Sequence, residues 1–163
     1  MFRRLTARAN YMAQDRYGLL FPSKECARGM KAPNLTDVGR LKRMARYVKQ
    51  VPREVQKFSF QPEVSYVDVE ADTDAHGCPR TRKGTNGGAC YLGLHAVPAW
   101  STTQADRTTS SGHAEYLGQL KGASEGFGTQ AVCADFGRRK ELRLWTDSTA
   151  AKGMASRQGL GRM

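Results

Sequence analysis

"VDVEADTDAHG", residues 67–77, alternates apolar and acidic side chains and stops at a glycine. Read as a strand, it turns Val67, Val69 and Ala71 to one face and Asp68, Glu70, Asp72 and Asp74 to the other. Four carboxylates on one strand face require a reason in a chain whose formal net charge is +11.

Working outward, the 163 residues leave room for one domain with a core, or for one domain plus an appendage. Hydrophobic content of 39% and charged content of 25% are globular values, and no apolar run approaches the ~20 residues that cross a bilayer, so a membrane partner is not expected. The opening "MFRRLTARANYM" is basic and carries no acid before Asp15, but it lacks the apolar stretch of a secretory signal and reads as a first helix. Cys26, Cys78, Cys90 and Cys133 are scattered, with neither zinc-ligand spacing nor a C-x-x-C pair. Isolated thiols fit a reducing, intracellular compartment, the cytoplasm or nucleus.

The positive charge is localised. Residues 1–62 hold 14 Lys and Arg against 4 Asp and Glu, whereas residues 63–163 hold 12 against 11. The chain therefore divides into a basic helical segment, 1–55, and a nearly neutral domain, 56–163. In the first, Val38, Leu41, Ala45 and Val48 mark one helix face, capped by Thr36 or Asp37 and ended by Pro52. The opposite face carries Arg40, Lys42, Arg43, Arg46 and Lys49, a stripe suited to phosphate contact. Upstream, two shorter helices are expected to break at Phe21-Pro22, with Ser23 as cap.

From Lys57 the period changes to two. "KFSF" and "VSYVDVEAD" read as strands, and "GACYLGLHAVPAWST" as two more turning near Leu94–Ala96, with Pro98 placing the latter on an edge. A long helix follows on Ala114, Leu117, Ala123, Phe127, Ala131 and Ala134, capped by Ser110 or Ser111 and weakest at Gly126 and Gly128. "ELRLWTD" is a short strand, and "STAAKGMASRQG" begins a helix capped by Asp147 or Ser148. The order is βββαβα, an α/β chain with a mixed sheet. A right-handed crossover sets the strand ending at Asp147 parallel to the one ending near Asp72. Asp72 and Asp147 then stand side by side, with Glu115 leaning over both from the first turns of the helix. Carboxylates so placed repel unless divalent cations neutralise them, and an all-oxygen donor set suits a hard ion such as magnesium.

These blocks resemble the ribonuclease H region of copia-type retrotransposon polyproteins. "DTDAHGCPRTRKGTNGG" is similar to that family's Ser-Asp-Ala-Asp-Trp-Ala-Gly followed by Thr-Arg-Lys-Ser-Thr-Ser-Gly. "AWSTTQADRTTSSGHAEYLG" resembles its Trp-Ser segment leading to Ser-Ser-Thr-Glu-Ala-Glu-Tyr, and "LWTDSTAA" its Cys-Asp-Asn-Gln-Ser-Ala. "LKRMARYVKQVP" and "RANYMAQDRYGLLFPSKECARGM" resemble the end of the reverse transcriptase thumb and connection that precedes it. The resemblance covers nearly the whole chain.

The resemblance implies a ribonuclease H-like fold behind a small basic helical segment, and magnesium-dependent endonucleolytic hydrolysis of RNA in RNA-DNA hybrids. It implies two Mg2+ ions, with Mn2+ as substitute, held by Asp72, Glu115 and Asp147 as catalytic and metal-binding acids, with Asp74 as a subsidiary ligand. It also implies contacts to the hybrid from Arg82, Lys83, Thr85 and Asn86, joined by Arg40, Arg43 and Arg46 of the basic helix. Ala75-His76 stands in place of the family's Trp-Ala, and Gly84-Thr85-Asn86-Gly87 in place of Ser-Thr-Ser-Gly. The last elements and the fourth carboxylate of the family pattern are expected beyond Met163. A catalytically inactive nucleic-acid-binding remnant is the alternative expectation.

Overall fold

In the computed structural model, residues 1–159 are described. The last four residues of the expected 56–163 domain lie outside them. The chain divides into two compact units, with the boundary after Ser59.

The first unit is helical: α1 (Phe2–Met12), a 3-10 turn (Tyr17–Leu19), α2 (Leu20–Arg28) and α3 (Leu35–Gln50). Its small core joins Ala9, Ala13, Leu19, Cys26 and Met44, with Leu41 and Val48 packed against it. The inward face of α3 therefore runs through Met44 rather than the expected Ala45, which is exposed. The α3 cap also differs from the expected Thr36 or Asp37. Asn34 caps the helix through Asp37 N–H to Asn34 Oδ1 (2.9 Å), and Asn34 N–H returns to Asp37 Oδ2 (3.2 Å). This reciprocal pair satisfies two orphan donors of the first turn. Nor does Pro22 break a helix: α2 begins at Leu20, so Pro22 lies in the first turn, where its missing N–H costs nothing. Ser23 is not a cap; it is buried and its hydroxyl donates to the Leu20 carbonyl.

The second unit is a mixed α/β sheet with helices: β1 (Tyr66–Asp74), β2 (Thr85–Leu92), β3 (His95–Thr103), α4 (Ser111–Asp135), β4 (Glu141–Trp145) and α5 (Thr149–Ala155). The expected strand at "KFSF" does not form; these residues are irregular, and Phe60 is left 98% exposed. Strand order is β3-β2-β1-β4. The hairpins β1–β2 and β2–β3 are antiparallel, while β4 runs parallel to β1 after the α4 crossover. Pro98 falls on the edge strand β3, where its missing donor is tolerated.

Val67, Val69, Ala71, Cys90 and Trp100 form the core on one face of the sheet. The face of α4 that meets it keeps only part of the expected apolar set: Ala114 is buried, whereas Phe127 is 59% exposed, and Ala131 and Ala134 are exposed. Gly118, Gly122 and Gly126 are buried instead, one helical turn apart. A Cβ at Gly118 would stand 2.1 Å from Thr73 Oγ1, and one at Gly126 would stand 2.5 Å from Leu142 Cδ1. At these two positions any side chain would force Thr73 or Leu142 to shift. Gly126 is thus a contact point rather than a weak one, while Gly128 faces open space.

Gly122→Leu, whose Cβ would already meet Ala71, Leu144 and Val69, is expected to lower stability by about 1–3 kcal/mol through overpacking. Gly128→Ala is expected to raise it by up to about 1 kcal/mol through helix propensity. Thermal unfolding followed by circular dichroism separates the two; equal shifts in one direction would contradict the packing described.

Candidate metal centre

Asp72 lies near the carboxyl end of β1, opposite Gly87 of β2. The parallel pairing of β1 with β4 ends at Glu70 opposite Trp145, so the chain leaving β4 places Asp147 beside Asp72. Glu115 is in the second turn of α4 and reaches the same point. Each of the three offers an oxygen, and these oxygens lie within 4.8 Å of one another.

None of the three is occupied by an ordinary structural task. α5 is capped by Ser148, whose hydroxyl accepts from Ala151 N–H at 3.1 Å, which leaves the Asp147 carboxylate out of the cap. Ser110 caps α4 in the same way through His113 N–H (3.1 Å), so Glu115 has no capping role. Asp72 accepts only its neighbour's amide, Thr73 N–H to Oδ1 at 2.7 Å. Among the described residues no Lys or Arg pairs with any of the three. Glu115 Oε2 is buried without a hydrogen-bond partner. The Glu115 carboxyl is pushed above the ordinary value of 4.5, first by burial and then by the charges of Asp72 and Asp147. Three carboxylates, one desolvated and none matched by a cation, form a donor set that can hold a hard divalent ion.

The other acids of β1 differ. Asp68 is clamped by Arg143, with Nε and Nη2 each 2.7 Å from a carboxylate oxygen, and it also accepts from Trp145 Nε1 at 2.7 Å. This pairing holds its carboxyl below the usual range. Asp74 does not join the three; its carboxylate folds back over its own turn, where a Cβ at Gly77 would stand 1.7 Å from Oδ2. Glu70, Asp72 and Asp147 line one open cavity of about 570 Å³, floored by Gly87 and Ala89 and walled by Tyr91 and Trp145.

The loop residues expected to touch a hybrid fare unequally. Arg82 is exposed, at a positive φ of 55°, and the Lys83 ammonium is held by the Ala105 carbonyl. Thr85 and Asn86 are not loop residues at all: they lie in β2 and are buried, unavailable to a macromolecule. Asn86 Oδ1 accepts from Gln104 Nε2 at 2.8 Å, and the same amide reaches the Ala114 carbonyl at 3.0 Å. Arg40, Arg43 and Arg46 belong to α3 of the first unit.

Two residues that position the site escaped the sequence reading. Gln104 ties the end of β3 to β2 and to the residue preceding Glu115, while Gln119 Nε2 donates to the Ala71 carbonyl (3.1 Å), next to Asp72. The only sequence signal for this was the four-residue spacing of glycines in α4, which marks the face where Gln119 also lies. No family model, curated protein or solved structure matches the chain, so the geometry of the site carries the functional reading.

The raised Glu115 pKa has a definite sign. Between 4.5 and the higher folded value, the folded carboxyl retains a proton that the unfolded one has lost, so its contribution to stability falls as pH rises through that interval. In chelator, Glu115→Gln is therefore expected to melt higher than wild type near neutral pH, with the difference shrinking as pH falls towards 4.5. A difference independent of pH across that range would show that Glu115 carries no such burden.

Proposed function

We propose that the second unit is a ribonuclease H-like hydrolase that cuts the RNA strand of RNA-DNA hybrids with two magnesium ions. The observation that carries this reading is the convergence of Asp72, Glu115 and Asp147, free of caps and cations, at the carboxyl end of the two parallel strands. The element order βββαβα and the parallel pairing of β4 with β1 support it, since both are expected from the sequence.

When bound, the ions supply the positive charge that neutralises the reacting phosphate and lowers the pKa of water. The chain's own part is to hold three oxygens at one point. Asp72 and Asp147 are set by the parallel pairing, and Glu115 is lowered onto them by the glycine face of α4. The cavity beside them is open, as a strand passing over it requires. Arg82, exposed on the rim of the unit, is available to a backbone phosphate.

The test is cleavage of a labelled hybrid in magnesium by the wild type, Asp72→Asn and Asp147→Asn. Each variant is expected to lose at least ~100-fold in rate, because even outer partners of a metal cost 10–100-fold. Manganese should restore part of the wild-type rate after chelation. Equal rates in all three proteins would remove the catalytic assignment, and binding without cleavage by the wild type would leave a nucleic-acid-binding module.

A further inference from the structure

α4 carries a second face, turned away from its glycines. Tyr116, Leu120, Ala123, Phe127, Ala131 and Ala134 recur at spacings of 4, 3, 4, 4 and 3, a single stripe along about 27 Å of helix axis. Leu120 is 50% exposed and Phe127 59%; Ala131 and Ala134 are exposed, and Tyr116 and Ala123 are half-buried. A surface helix ordinarily presents charge to water. Here the stripe holds no charged residue, and the charges of α4 lie elsewhere: Glu115 belongs to the acidic centre, Lys121 and Glu125 pair with each other, and Asp135 ends the helix.

The order of large and small side chains along the stripe points to its occupant. A two-fold axis crossing the helix at the level of residue 125 exchanges the large residues with the small ones. Tyr116 comes opposite Ala134, Leu120 opposite Ala131, and Phe127 opposite Ala123. Each large side chain of one copy then stands over a methyl group of the other, which fills space as a protein interior does. A parallel pair would instead set Phe127 on Phe127 and alanine on alanine, alternating collision with void. The receiving hollow is already present: Phe127, Gln130, Ala131, Ala134, Arg139 and Lys140 line a cavity of about 330 Å³. The antiparallel register brings Leu120 and Tyr116 of a second copy over it.

From this we infer that the outer face of α4 is a homodimer interface, on which two copies of this chain pack antiparallel about a two-fold axis. The inference does not rest on the catalytic reading. One pair of helices covers less than the about 800 Å² per partner of a standard interface, so the equilibrium lies in the micromolar range. Because the stripe is uncharged, added salt does not weaken the contact, whereas association of this +11 chain bridged by nucleic acid is lost in salt.

The test is sedimentation velocity of the full chain, digested with nuclease, from about 1 to about 100 μM in about 0.5 M salt. Wild type is expected to pass from monomer to dimer across that range. Phe127→Ala should raise the dissociation constant at least ~30-fold, since both copies lose the ring. Adding Ala123→Phe to it should recover most of the loss, because the swap restores a large residue over a small one in the antiparallel register and not in the parallel one. Leu120→Asp offers a second disruption at an exposed position and should leave the chain folded and monomeric, with folding followed by circular dichroism.

A wild type that stays monomeric throughout, as when a different protein covers the stripe, would overturn the interface. A dimer that survives both Phe127→Ala and Leu120→Asp would overturn it too, and a single variant not rescued by the swap would overturn the register. Asp72→Asn should dimerise as wild type does, and Phe127→Ala should cleave the hybrid at the wild-type rate, so failure of catalysis and failure of dimerisation are read separately.

Discussion

The closeness of α4 to the sheet governs the second unit. At Gly118 and Gly126 a Cβ would strike the Thr73 and Leu142 side chains, and at Gly122 it would press on Ala71 at 3.0 Å, so the axis lies nearer the strands than most side chains allow. Such contact forgoes the burial a leucine face would supply, and the Gln119 amide bond to the Ala71 carbonyl offsets part of that loss beside Asp72. The return is positional. With the helix so low, the second-turn Glu115 reaches a point already occupied by two strand-end carboxylates.

Electrostatics then divides the acids of one strand into different classes. Asp68 and Asp72 share a strand face, yet Asp68 meets Arg143 in a bidentate pair, with the guanidinium stacked 3.8 Å from the Tyr66 ring. That pairing joins β1 to β4 and accounts for one acid by structure alone. At the other end of the face the same pair of strands brings Asp72 to Asp147, with no Lys or Arg of the described residues paired to either, and a cluster left uncompensated in this way favours an external cation.

The alternation of Val67, Val69 and Ala71 with acids made β1 legible, because a half-buried strand leaves that mark in any sequence. The parallel partnership of β1 and β4 was legible as well, since handedness leaves one way to run a strand-helix-strand unit. The contact face of α4 was not. Glycine registers as helix-weakening in any local reading, and its value appears only when another backbone lies against it. Met44 was likewise passed over for Ala45, because both fit an apolar face and only tertiary packing decides between them. Thr85 and Asn86 were read as loop because Gly, Asn and Thr signal turns, whereas pairing with Thr103 and Thr102 draws them into the sheet.

The Asp68–Arg143 clamp joins residues 75 positions apart, and the acids beyond it are separated to the same degree. Closing so long a loop costs more chain entropy than closing either of the two hairpins that precede it. Asp72 and Asp147 therefore meet only when the whole crossover has docked. A partly assembled chain, with its hairpins made and β4 still free, has no anionic pocket to offer, so the site and the complete tertiary structure arrive together.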